Sequence, residues 1–319
     1  VIAAVHDPGS LGVHTYVDRL SRALRDLSVD YRPASRASAE VCCHFHLANS
    51  TRMIVPDMAR HRGRYLLTIH DVIPRSRALR PIQRAVILPL CLRRASRVVV
   101  HSRHAADMLV RTAATTTTRL EIVPHPAPSL GHDVGAARAA LGLALDGPPV
   151  FVLPGTLRAA KLVTETLDAC APLVARGRLR LLLSGRLHDE AIGRAASAAG
   201  AILLRNPDRV TYEHAIVAAD AVLCMRADTV GESNGPLLDA VGAGKPSLIT
   251  AVGSAPEIAE DSAQVVAPSV AGIRAGIEAL LDEGERARRA GTARVLGPEL
   301  SWEASAEAHA ELLDEVASA

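Results

Sequence analysis

Short, mostly apolar runs alternate along the chain with longer stretches whose apolar residues recur at helical spacing. Val1–Val5, Glu40–His46, Tyr65–His70, Arg97–His101 and Leu120–Pro124 read as strands covered on both faces. Between them, Thr15–Leu27, Ser50–His61, Leu79–Arg94 and Arg103–Thr112 carry helical periodicity. A Pro- and Gly-bearing stretch, His125–Pro149, follows, with a short Ala-rich helix at Val134–Leu143. The alternation then restarts. Val150–Leu153, Leu179–Ser184, Ala201–Leu204, Ala221–Met225, Ser247–Thr250 and Gln264–Val266 read as strands. Leu162–Arg176, Glu190–Gly200, Thr211–Ala219, Gly235–Gly242, Val270–Asp282 and Ser301–Val316 read as helices. The predicted fold is α/β: two tandem, doubly wound, Rossmann-like domains at residues 1–130 and 150–300, with a linker at 131–149 and a final helix within 301–319. Ligands of such sheets bind beyond the carboxyl ends of the strands, so a cleft between the domains is the expected site.

Composition narrows the classes. With 319 residues, 49% apolar and a net charge of +2, the chain has material for two cores and excludes intrinsic disorder. No apolar run approaches the roughly 18 residues of a membrane span. Five unevenly spaced cysteines make no disulfide framework, and a reducing, cytoplasmic setting is expected. Two Phe, one Trp and four Tyr are too few for base-stacking platforms, so no nucleic-acid partner is expected.

Charge is divided unevenly. Residues 1–130 hold 19 Arg against nine acidic residues, whereas residues 131–319 hold 17 basic against 25 acidic. The two halves are expected to do different work. The basic stretch Arg75–Arg97, around Ala85–Leu92, raises a second expectation, peripheral contact with an anionic membrane. Only two of the 36 basic residues are lysines, Lys161 and Lys245. In a chain this biased toward Arg, a retained Lys points to a requirement.

Two segments carry candidate chemistry. In Gly231-Glu232-Ser233-Asn234-Gly235-Pro236-Leu237-Leu238-Asp239 a turn enters a helix near Pro236, a residue suited to a first helical turn. Backbone N–H groups there favour an anion, and the two acids offer acceptors to hydroxyl groups. Phosphate beside hydroxyls is what a nucleotide-sugar presents. In Phe151-Val152-Leu153-Pro154-Gly155-Thr156-Leu157-Arg158-Ala159-Ala160-Lys161 a Gly turn follows a strand, and Arg158 and Lys161 can clamp a diphosphate.

These segments resemble the donor-binding half of the retaining glycosyltransferases of family 4 (glycosyl transferases group 1), which have the GT-B fold. Leu238-Asp239-Ala240 followed by Gly244-Lys245-Pro246 is similar to that family's Leu-Glu-Ala-x-x-x-Gly-x-Pro run, with Asp in place of Glu. Glu232 and Asp239 stand one residue closer than the family's commonest spacing. Gly9-Ser10-Leu11-Gly12 resembles the family's Gly loop, and Leu66-Leu67-Thr68-Ile69-His70-Asp71 the strand end that often carries a His near the donor sugar. Ser301-Trp302-Glu303 resembles its closing helix, which returns toward the first domain.

The resemblance implies transfer of a sugar from a nucleotide-diphosphate sugar to an unknown acceptor hydroxyl, with retention and without a metal or other cofactor. His70 and Glu232 are the expected catalytic residues. Gly12, Arg158, Lys161, Glu232, Ser233, Asn234, Gly235, Leu237 and Asp239 are the expected donor-binding set. No Asp-x-Asp pair is present to bridge a metal to a diphosphate. His44 and His46 beside Cys42 and Cys43 suggest zinc, but consecutive cysteines point to opposite faces and no second ligand pair follows. Gly231-Glu232-Ser233-Asn234-Gly235 also spells a serine-hydrolase elbow, yet five residues separate the preceding strand from it. Two alternatives stay open: a catalytically idle donor-binding or partner-activating relative, and a nucleotide-sugar epimerase on the same fold.

Overall fold

The structure is a computed structural model and describes residues 1–7, 10–34, 36–37, 42–48, 54–61, 64–113 and 119–318. Pro8 and Gly9, the first two residues of the predicted strand at Glu40–His46, and the start of the predicted helix at Ser50–His61 lie outside the described residues. Two compact units are formed: residues 1–126 with 230–233 and 300–319, and residues 127–229 with 234–299.

The first unit is built on a parallel six-stranded sheet. Its strands are β1 (Ile2–Val5), β2 (Tyr31–Ala34), β3 (Cys42–Leu47), β4 (Tyr65–Ile69), β5 (Ala95–Val100) and β6 (Leu120–Ile122), in the order β2-β1-β3-β4-β5-β6. Strands β3 and β4 are buried almost throughout, the pattern of a sheet covered on both faces. Phe45, Leu47, Leu67, Ile69 and Val100 fill one side; Tyr16, Leu20, Leu66 and Val99 fill the other, where the helices Leu11–Asp26 and Trp302–Ala317 lie. The sequence pattern missed β2 because Pro33 argues against a strand. It is tolerated because β2 is an edge strand paired only with β1.

Residues 77–92 form one helical segment with a wide, π-type turn at Gln83–Ile87. Pro89 explains the widening. Its ring displaces the carbonyl four residues back and its nitrogen donates nothing.

The second unit repeats the architecture. Strands β7 (Val150–Pro154), β8 (Arg180–Gly185), β9 (Ile202–Arg205), β10 (Ala221–Cys224), β11 (Ser247–Thr250) and β12 (Ala263–Val266) pair in parallel in the order β12-β11-β10-β7-β8-β9. Residues 131–149, expected as a linker, are grouped with this unit. Arg138 is the reason. Its guanidinium donates to the Ala218 and Leu145 carbonyls and to Asp220, which also accepts from the Val150 N–H. The helix Glu283–Glu299 escaped the hydrophobic pattern because it buries only Arg289, Ala293 and Leu296 among polar and glycine residues.

Candidate functional site

In the second sheet the strand order reverses between β7 and β10, and both motif segments leave the sheet at the carboxyl ends of these two strands. A doubly wound sheet opens its ligand crevice at that point. Gly155, directly after β7, has a φ of +97°, a conformation that side chains disfavour, and a Cβ there would stand 3.1 Å from Pro236 Cγ. The Gly turn and the helix Gly235–Gly242 therefore meet face to face. Gly185 at the end of β8 is required for the same turn, since a Cβ on it would fall 1.6 Å from the Gly155 carbonyl oxygen. The chain then runs through Arg158 to a tight turn at Ala159–Lys161, pinned to the end of β10 by the Ala227 N–H donating to the Ala160 carbonyl at 3.0 Å. Lys161 is buried there, while Arg158 is partly exposed.

Lys161, Arg226 and Asp239 all act electrostatically on the buried thiol of Cys224, so three charged side chains gather at the mouth of β10. Burial drives the thiol up to about 12 and keeps it protonated. Asp239 is buried and accepts from the Tyr212 hydroxyl at 2.9 Å, with Arg209 at 3.9 Å from its other oxygen. Arg209 also lies over the Tyr212 ring, 5.7 Å from its centroid. Tyr212 and Arg226 were not among the expected site residues. No motif marks them, because Tyr212 reaches Asp239 only when the helix Arg209–Ala218 packs against β7 and β8.

The helix Gly235–Gly242 starts at Asn234, whose carbonyl accepts from both Leu237 and Leu238 at 3.0 Å. Leu237 was expected to offer its N–H to an anion, and here that N–H is spent inside the helix. Pro236 has none. The N–H groups of Asn234 and Gly235 remain at the helix start, where the dipole favours negative charge. The Asn234 side chain, fully buried, donates to the Cys224 carbonyl at 3.4 Å and ties the helix to β10.

Glu232 has a different setting. With residues 230–233 it is grouped with the first unit, where the Val230 carbonyl accepts from the Val72 and Ile73 N–H groups at 2.9 and 3.1 Å. One Glu232 oxygen accepts from Arg75 at 3.0 Å and the other from the Val230 N–H at 2.7 Å. Ser233 lies in the same segment. Gly12 opens the helix Leu11–Asp26, is exposed, and a Cβ there would meet nothing within 4 Å, so protein packing does not demand the glycine.

His70 stands at the end of β4, partly exposed, with both ring nitrogens engaged: Nε2 at 3.2 Å from His46 Nδ1 and Nδ1 at 3.2 Å from His101 Nε2. His44 and His46 share the Tyr31 hydroxyl at 2.8 Å each, and His44 reaches Thr68 at 2.7 Å.

No protein-family model and no curated protein matches the chain. Solved structures do. The chain is similar over 99% of its length and 99% of the other's to sucrose-phosphate synthase from Thermosynechococcus elongatus, at 17% identity and a TM-score of 0.80. It is similar to HepE of Anabaena, solved with UDP and glucose, over 98% and 99% of the two chains, at 12% identity and a TM-score of 0.78. A glycosyltransferase from Rickettsia africae aligns over 99% and 97%, at 11% identity and a TM-score of 0.76. The fold is GT-B. Two Rossmann-like domains in tandem are shared with each of these proteins, and at these identities the likeness speaks to GT-B architecture.

Proposed function

We propose that this GT-B chain is a glycosyltransferase of the retaining, metal-independent kind, taking its sugar from a nucleoside-diphosphate sugar. One observation carries the reading. The Gly155 turn, buried Lys161, Asp239 and the Asn234–Gly235 donors converge at the reversal point of the second sheet, an arrangement suited to a diphosphate with a ribose beside it. Arg158 and Lys161 neutralise the diphosphate as the bond from the anomeric carbon to phosphate oxygen breaks and the acceptor oxygen takes its place, the acceptor hydroxyl's proton passing to the departing phosphate oxygen. Asp239 accepts from ribose hydroxyls, with the Arg205–Val210 segment flanking the base. Glu232, steadied by Arg75, accepts from the sugar. The first unit takes the acceptor, with Gly12 admitting close approach of the phosphates. His70 stays near the reacting sugar as a neutral ring without a proton-transfer duty, because both its nitrogens are committed.

The test is thermal unfolding with a panel of nucleoside diphosphates and their sugars, with and without EDTA. Stabilisation by one nucleotide series, unchanged by EDTA, supports the reading and names the base. HepE's complexes with UDP and with UDP-glucose make the uridine series the first to try. A flat panel overturns it. Release of free nucleoside diphosphate only with acceptor present separates transfer from epimerisation and from an idle relative.

A peripheral membrane contact belongs to the same reading. Leu79, Ile82 and Val86 on the 77–92 segment are 45%, 51% and 54% exposed, flanked by the exposed Arg77, Arg84 and Arg93. Residues 72–106 contain eight Arg and no acid. Apolar side chains within a basic rim suit an anionic bilayer surface. Retention on anionic vesicles at low salt, lost on neutral vesicles and in Ile82→Asp, is the expected result, and equal retention on both overturns it.

A further inference from the structure

From the interior of the first sheet to the carboxyl ends of β4 and β5 runs an unbroken line of hydrogen bonds. Thr68 Oγ1 lies 2.7 Å from His44 Nε2, and His44 Nδ1 lies 2.8 Å from the Tyr31 oxygen. That oxygen is 2.8 Å from His46 Nε2, and His46 Nδ1 is 3.2 Å from His70 Nε2. His70 Nδ1 is 3.2 Å from His101 Nε2, and His101 Nδ1 is 2.9 Å from the Val123 carbonyl oxygen.

The last contact fixes all the others. A carbonyl only accepts, so His101 carries its proton on Nδ1 and accepts on Nε2. His70 must then donate from Nδ1, and His46 likewise. The Tyr31 proton goes to His46, so the Tyr31 oxygen accepts from His44, and His44 accepts from Thr68. Every donor has one acceptor, every ring is neutral, and every ring is the Nδ1–H tautomer. With the neighbouring tautomers unchanged, a second proton on His70 or His101 would place two N–H groups against each other.

The C-terminal helix Trp302–Ala317 is docked on this line. His309, fully buried, donates from Nδ1 to the Ser305 carbonyl at 2.7 Å and turns Nε2 toward the Tyr16 hydroxyl at 3.5 Å. Its ring lies 5.6 Å from that of His44. Tyr16 is the hub: its ring centroid is 4.8 Å from His70, 5.4 Å from His101, 5.1 Å from His125 and 5.3 Å from Trp302.

From the helix Leu11–Asp26 come Tyr16 and Arg19, and among the described residues the charges that shift the rings of His44, His46, His70, His101 and His125 are other histidines and Arg19. Asp7 and Asp18 act on His6, at the edge of the cluster on β1. Asp71 follows His70 in the chain and is not among the charges that shift that ring. In the C-terminal helix Glu303, Glu307, Glu311, Asp314 and Glu315 are all exposed, away from the histidines.

We propose that this line of four rings, with His125 and His309 beside it at Tyr16, is a proton-operated latch: with the six rings neutral it holds the C-terminal helix on the first sheet, and protons taken up on acidification release that helix before the rest of the chain unfolds. Burial lowers all six rings, reinforced by neighbouring histidines at His44, His46, His70 and His101 and by Arg19 at His125, and it takes His125 and His309 to about 4. A released histidine titrates near 6.5, so release binds protons between about 6.5 and 4. Docking is fully stable above that window and weakens as the pH falls through it. This helix contributes no strand to the sheet and can leave without breaking a single rung of it, which is why it goes first.

The chain has one tryptophan, and it is the first residue of that helix. Trp302 fluorescence and hydrogen exchange of residues 302–317, followed from pH 7.5 to 4.5, report the latch, while exchange in β7 and β8 reports global unfolding. We expect the helix signals to change at a pH about half a unit or more above the global loss, with more than one proton taken up. His309→Gln, which cannot titrate, should lower the helix midpoint, and His188→Gln, on an exposed residue of the second unit, should leave it in place. Coincident loss of all signals in the wild-type chain overturns the proposal without any variant, and so does a folded His309→Gln whose helix midpoint is unchanged.

Discussion

The hydroxyl of Tyr212 donates to Oδ2 of Asp239 at 2.9 Å, joining the helix Arg209–Ala218 to the helix Gly235–Gly242 beside the end of β10. A buried carboxylate is tolerated only where donors meet it. Burial and the neighbouring carboxylate hold the Tyr212 phenol well above its ordinary range, so it remains a donor at every physiological pH. Tyr212→Phe takes this donor from Asp239 and should cost about 1–3 kcal/mol. A lower Tm with a smaller nucleotide-induced shift is the expected result, read in one thermal-unfolding series. An unchanged Tm would mean that the carboxylate does not depend on this bond.

Gly155 tests the turn itself. Its φ of +97° and its approach to Pro236 leave an added methyl both strained and crowded. Gly155→Ala should lose about 1–3 kcal/mol of stability and weaken nucleotide binding more than tenfold. Isothermal titration of the refolded variant measures the second effect separately from the first.

Lys161 carries the sharpest expectation. It is buried at the turn after β7, and electrostatically it reaches the same Cys224 as Asp239 does. Lys161→Ala removes the point charge proposed to hold the diphosphate and should lower turnover at least a hundredfold with the fold intact by circular dichroism. Turnover within a few-fold of wild type would dismiss the diphosphate clamp.

Much of this was legible in the chain because strands covered on both faces leave continuous apolar runs, and because Gly155, Pro236 and Lys161 belong to compact local motifs. What was missed has physical reasons. Strand β2 hides behind Pro33, and the helix Glu283–Glu299 buries too few apolar side chains to show a stripe. Tyr212 and Arg75 gain meaning only through tertiary contacts, with Asp239 and with Glu232, residues 27 and 157 positions away. The placement of Glu232 was equally hidden, because nothing local to residues 230–233 shows that Val72 and Ile73 take the Val230 carbonyl. His44 and His46, whose setting beside consecutive cysteines argued against a zinc site, engage Tyr31 and Thr68 with three of their four ring nitrogens and His70 with the fourth.

Tautomers follow from the same bonds. Nitrogen-15 spectra of histidine-labelled protein at pH 7.5 should show His44, His46, His70 and His101 as neutral Nδ1–H rings, the minority form in water. His101→Gln breaks the line at the Val123 carbonyl, and the His70 signal should then shift toward a mixture of the two tautomers. A wild-type spectrum with Nε2–H rings at these four positions would refute the order of donors.

The other lysine gives a pH dependence of the same cause in a more alkaline window. Lys245 follows the helix Gly235–Gly242 and is partly buried; desolvation, reinforced by Arg138 and Arg294 and opposed by Asp220, lowers its amine to about 8. An unfolded lysine titrates near 10.5, so between about 8 and 10.5 the unfolded chain holds the extra proton and folding stability rises with pH. Below that window the charged amine is a standing cost, which solvent screening reduces to about 1–2 kcal/mol. Lys245→Met should therefore raise Tm at pH 7 and flatten the rise between pH 8 and 10, leaving nucleotide binding unchanged. Denaturant titrations at pH 7, 8.5 and 10 decide the matter: a variant less stable than wild type at pH 7 would show that this lysine is retained for an attraction that outweighs its burial.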